Sequence, residues 1–228
     1  MAQPATRDTV IHEGVDAENR AAALGLTVAL LLDVVRQGEY ARAEATENDP
    51  LNAAGTDAYR YRVRAFRDAL CVGPTGWTKE HDRGLEKTKS PCGRHAVITR
   101  GGDLGVGLRD AHPQPAGRIG EMTLGAVDAN SSLLLDPNWM NAAPTNDADD
   151  DSCETWMFLV FRDGDLVRSE ISLPSKVEEK PTGTLVLGWK ERVILPQLDF
   201  SSEPGAGSKP SRNAPEPVVE EPTVVRKR

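Results

Sequence analysis

Asp163, Asp165 and Glu170 cluster around an Asp163-Gly164 bend. Carboxylates gathered at a strand end are what a metal-dependent nuclease or related hydrolase uses to hold Mg²⁺ or Mn²⁺. A restriction-type nuclease continues with Glu-x-Lys, its lysine helping to place the attacking water, whereas this chain reads Glu170-Ile171-Ser172. Lys176 or Lys190 would have to supply the missing ammonium. The plainer reading makes Asp163 and Asp165 turn residues.

A second chemistry is suggested by Arg60, Arg64 and Arg67, which recur at helical spacing with Arg62 on a neighbouring turn. Such a stripe suits phosphate or an acidic partner, but the plainer reading is a solvated helix face, with Asp57 and Asp68 standing among the arginines. Three further patterns carry less. Cys92 and His95 lie three residues apart beside Arg94, but a thiol becomes a nucleophile only with a base against it. The acidic segment Asp147, Asp149, Asp150, Asp151 and Glu154 lacks the mid-loop glycine and length of a calcium loop. Gly101 to Gly107, GGDLGVG, has the letters of a dinucleotide fingerprint but opens no helix, so it is read as a hairpin connection between strands 96–100 and 104–108.

These residues need a scaffold. The chain has 228 residues, enough for one core with extensions. Formal net charge is −8, which disfavours a nucleic-acid footprint spread over the whole surface. Cys71, Cys92 and Cys153 are odd in number and in no C-x-x-C spacing, so a reducing, cytoplasmic setting is expected. The start lacks a secretory pattern. The apolar run 21–32 is too short to cross a bilayer, so no membrane partner is expected.

Residues 1–15 show no periodicity and are read as a flexible N-terminus. Asp16 then caps a helix running to about Thr46, apolar all round over its first half. Thr56 caps a second helix whose Tyr59, Val63, Phe66 and Leu70 face the core. Residues 72–94 read as a long loop or short extra helix. Short strands are expected at 122–127 and 132–135, with a loop after Trp139. WMFLVF, Trp156–Phe161, is the strongest signal, an unbroken apolar run that fits a central strand. It turns at Asp163-Gly164 into 166–173, where Val167, Ile171 and Leu173 alternate with Arg168, Glu170 and Ser172, predicting one buried and one half-exposed face. Pro174 stops that strand, and 184–189 and 192–195 follow as separate pieces around Gly188. From 201 to 228 proline, glycine and charge dominate, the composition of a disordered tail.

The expected fold is α+β: two N-terminal helices packed on a mainly antiparallel sheet over residues 16–200, with tail 201–228. With no coherent catalytic set, the leading functional expectation is a non-catalytic accessory or interaction protein of an intracellular, bacterial-type assembly. It would need no cofactor and would meet another protein, with the tail as a tethered peptide. The alternatives are the Mg- or Mn-dependent hydrolase on Asp163, Asp165 and Glu170, and a nucleic-acid module on Arg60, Arg64 and Arg67.

Overall fold

A computed structural model describes residues 3–4, 9–82, 85–116, 124–125, 130, 153–180 and 183–201. It shows an α+β fold. Three helices, α1 (Val15–Ala23), α2 (Val28–Ala43) and α3 (Ala53–Cys71), pack on a mixed sheet. The strands are β1 (Gln3–Pro4), β2 (Val10–His12), β3 (Thr78–Asp82), β4 (Leu85–Lys89), β5 (His95–Gly101), β6 (Ala111–His112), β7 (Glu154–Asp163), β8 (Leu166–Lys180), β9 (Gly183–Ile194) and β10 (Leu198–Asp199). The main sheet runs β2-β9-β8-β7-β5-β4-β3, with β10 added beside β8 and β1 paired to β6 separately. β2 with β9 and β5 with β7 are parallel; the other pairings are antiparallel.

β7 lies at the centre, as its composition requires. Trp156, Phe158 and Val160 join the helix-side core with Leu31, Val35 and Phe66, while Met157 and Leu159 join a second core on the opposite face with Ile98, Val106 and Trp189. A strand covered on both faces has no use for alternating polarity. The hairpin into β8 forms as expected, with Asp163 opposite Leu166 and Phe158 opposite Ile171.

Several expectations change. The long first helix is broken: α1 ends at Ala23, Gly25 takes φ +74°, and the chain restarts at Thr27, whose hydroxyl accepts from the Leu30 amide at 3.1 Å. The bend lets one apolar stretch cover the sheet from two directions. Asp16 lies inside α1, which is preceded by Gly14. The segment read as a flexible N-terminus contributes β1 and β2. α3 starts at Ala53, ahead of Thr56, and its buried positions are Ala58, Arg62, Phe66 and Leu70; Tyr59 is exposed and Val63 only half-buried. The stripe 58, 62, 66 was hidden because an arginine occupies its middle.

The segment read as a loop over 72–94 holds the β3–β4 hairpin, whose polar sequence suits a sheet edge. Conversely 104–108 is no strand. Asp103 organises it as a looped turn, its Oδ1 accepting from the amides of Gly105 and Gln114, each at 3.0 Å. Pro174 does not end β8, which continues through register shifts at Leu173 to Val177 opposite an unbroken β9. Asn130 secures this irregularity, donating to the carbonyls of Thr155 and Pro174 and accepting from the Thr155 amide. Leu124, Gly125 and Asn130 are helical, so helix is not confined to the N-terminal third. The rest of the strand candidates at 122–127 and 132–135, the acidic residues Asp147 to Asp151, and residues 202–228 of the tail lie outside the described residues. Among the described residues no single helix is long and apolar enough to cross a membrane; α1 and α2 meet that test only as a pair bent by 91°.

Candidate anion-binding cleft

Because β5 and β7 run parallel, Arg100 and Arg162 emerge at the same end of the sheet. The C-terminal turn of α2 brings Arg42 to that end, and the first half of α3 brings Gly55, Tyr59 and Arg62. Together with Leu85, Glu86, Ile98, Val160 and Phe161 they line a cleft of about 540 Å³.

The centre of this corner is Glu39, whose side chain is only 1% exposed. Helical spacing from Leu31 through Val35 drives it inward along the buried face of α2. Its Oε2 accepts from Arg42 Nε and Arg162 Nη1, both at 2.9 Å, and its Oε1 from Arg62 Nη1 at 3.3 Å. One carboxylate therefore serves three guanidinium groups from α2, α3 and β7. Arg162 gains partial relief from Asp165, at 3.5 Å on the exposed hairpin tip.

Arg62 is the most confined of the three, its side chain 5% exposed and its Nε buried without a hydrogen-bond partner. Burial pushes its guanidinium down to about 10, against the pull of Glu39 and with the push of Arg42. Burial also lowers the Arg100 guanidinium, with Tyr59 opposing. Cationic groups whose charged forms are penalised by burial are stabilised by an anion placed among them.

The residues singled out by sequence fall elsewhere. Glu170 is fully buried, not on an exposed face: Arg192 Nε and Nη2 reach its two oxygens at 3.0 and 2.6 Å, Ser172 Oγ donates at 2.7 Å and the Gly107 amide at 2.8 Å. Arg168 and Ser172, expected outside with it, are buried too, beneath the loop that contains Gly107. Asp163 and Asp165 sit on the exposed hairpin tip, facing Arg168 at 3.8 Å and Arg162 at 3.5 Å respectively. Among the described residues no group of three His, Cys, Asp or Glu side chains is arranged to hold a metal ion.

Arg60 and Arg64 are exposed, paired with Asp57 and Asp68, and lie over the Tyr61 ring at 5.5 and 5.8 Å. Arg67 turns away from them: it pairs with Glu86 at 2.6 Å and donates to the carbonyls of Glu80 and Lys87. It fastens α3 to the β3–β4 hairpin.

Cys92 Sγ lies 3.3 Å from Ser90 Oγ. Burial pushes its thiol up, but the Ser90 hydroxyl, the Arg94 amide and the Arg94 charge together bring it below the ordinary value. His95 directs its Nδ1 toward Glu154 at 3.5 Å, and Lys190 approaches the same carboxylate at 3.3 Å.

Compared with protein-family models, with curated proteins and with solved structures, the chain matches none. The chemistry of the corner therefore has to speak for itself. Reading the sequence by residue type missed Glu39, Arg42, Arg100 and Arg162, although one signal was present: Glu39 continues the Leu31–Val35 spacing of a buried face, while Arg62 lies four residues from both Ala58 and Phe66. Charged residues on a buried face imply partners, and two such residues on successive helices imply each other.

Proposed function

We propose that this chain is a non-catalytic interaction protein that works by receiving an anionic group of its partner in the cleft between α2, α3 and the ends of β5 and β7. The observation that carries this reading is the convergence of Arg42, Arg62 and Arg162 on the single carboxylate of Glu39. Such an arrangement holds more positive than negative charge in a concave, partly apolar setting, where hydrogen bonds to an anion are strong and directional. Cys71, Cys92 and Cys153 form no disulfide with one another, which supports a reducing, cytoplasmic location.

The test is thermal unfolding in phosphate against chloride at equal ionic strength. Phosphate is expected to raise the midpoint of the natural protein clearly more than that of Arg42→Met. Equal response of both proteins would refute the assignment.

A second reading, nucleic-acid binding through α3, rests on the exposure of Arg60 and Arg64 around Tyr61. It calls for affinity to a single-stranded oligonucleotide that falls steeply with salt and is weakened by Arg60→Ala and Arg64→Ala. Arg67→Ala would chiefly loosen the β3–β4 hairpin.

A further inference from the structure

Building on the anion-binding reading of this cleft, we propose that its ligand is a phosphate monoester carrying a planar aromatic group, with the phosphate among Arg42, Arg62 and Arg162 and the ring against Tyr59.

Charge sets the first half of this assignment. Three guanidinium groups around one buried carboxylate leave a surplus beyond what one singly charged carboxylate would neutralise; the second lining carboxylate, Glu86, is paired with Arg67, and the exposed Asp165 is solvent-screened. A phosphate monoester brings about −1.5 to −2 charges at neutral pH and several acceptor oxygens, matching both the surplus and the fork geometry of arginine. The Arg62 Nε–H is buried without an acceptor, so one donor of this guanidinium, in a side chain that lines the cleft, is left unsatisfied.

Space sets the second half. About 540 Å³ falls in the ordinary range for a small-molecule site and is far more than a bare phosphate fills. The remaining lining includes Leu85, Ile98, Val160 and Tyr59. Tyr59 is 38% exposed, leaving ring surface for a partner, and aromatic stacking suits a flat group of any hydrogen-bond pattern. Gly55 also lines the cleft, and a Cβ built there would meet nothing within 4 Å. A Cβ at 55 thus meets open space beside the cleft, and a larger side chain there would compete with a bound ring.

The experiment is calorimetric titration of the full chain with inorganic phosphate, phenyl phosphate, adenosine 5′-monophosphate and adenosine. Phenyl phosphate or the nucleotide, or both, should bind at least about tenfold tighter than inorganic phosphate, with adenosine alone not binding. The two arms separate a small aryl carrier from a nucleoside one. Gly55→Leu should abolish the advantage of the aromatic esters while sparing inorganic phosphate; Arg42→Met, with its fold verified by circular dichroism, should weaken all three phosphates. If all three bind equally and Arg42→Met weakens them together, the cleft is an anion site and the aromatic assignment is wrong. If none binds, or if Arg42→Met has no effect, the anion-binding reading falls as well.

Discussion

At the scale of single residues, the most consequential side chain is Glu39. Removing it leaves Arg42, Arg62 and Arg162 facing one another with no shared counter-charge. Breaking a buried ion pair on one side costs about 3–5 kcal/mol, so Glu39→Ala should lose stability in that range by urea unfolding. Part of that loss should return when phosphate is added, because the anion takes the place of the missing carboxylate. Glu154 offers a test by pH. Burial pushes its carboxyl up, but the nearby His95 ring and the charge and hydrogen bond of Lys190 outweigh that and hold it below the usual carboxylate range. A group with a depressed folded-state pKa contributes stability that is complete above about pH 4.3, its ordinary value, and lost as pH falls through the folded value. Urea unfolding over a pH series should therefore show a steeper acid loss in the natural protein than in Lys190→Met. Identical slopes would mean that Lys190 does not act on the carboxylate.

At the scale of elements, the two glycines of the helix pair make opposite demands. A Cβ on Gly38 would stand 2.4 Å from Arg62 Cγ and 2.9 Å from the Ala58 carbonyl oxygen, where α2 and α3 touch. Gly38→Ala should cost about 1–3 kcal/mol, the usual cost of overpacking. Gly55 has open space and lies within α3, so Gly55→Ala should stabilise by about 0.5–1 kcal/mol through helix propensity. Thermal unfolding of the two variants gives both signs in one comparison. The β7–β8 hairpin was readable from sequence because its partners are consecutive and its turn residues are specific. β3 and β4 were not, because TKEHD is the sheet's edge strand and LEKTK, beside it, buries only Leu85 and Thr88, so no run of apolar residues marks either. Arg168, Glu170 and Ser172 looked exposed for a similar reason: polar alternation normally means water, and only the tertiary placement of the Gly107 loop and Arg192 makes that face a buried polar network.

At the scale of the whole molecule, composition was enough for the α+β class and for one main sheet, since a central apolar strand flanked by helical stripes has few other solutions. The cleft was beyond its reach. Its residues come from positions 39 to 162, and what joins them is the parallel pairing of β5 and β7, a crossover that no local pattern announces. The β7–β8 register explains why the candidate carboxylates did not assemble: Glu170, opposite Leu159, points into the far face of the sheet, while Asp163 and Asp165 remain on the hairpin tip. The molecule thus concentrates positive charge at one end of its sheet despite a formal net charge of −8. Local field, rather than total charge, decides what such a corner attracts.

The most direct measurement follows the arginine Nε–H signals of the full chain by ¹H–¹⁵N spectroscopy during titration with phosphate. The Arg62 signal, together with those of Arg42 and Arg162, should shift saturably while Arg60 and Arg64 stay in place. Shifts confined to Arg60 and Arg64, or none at Arg62, would contradict an anion site built around Glu39.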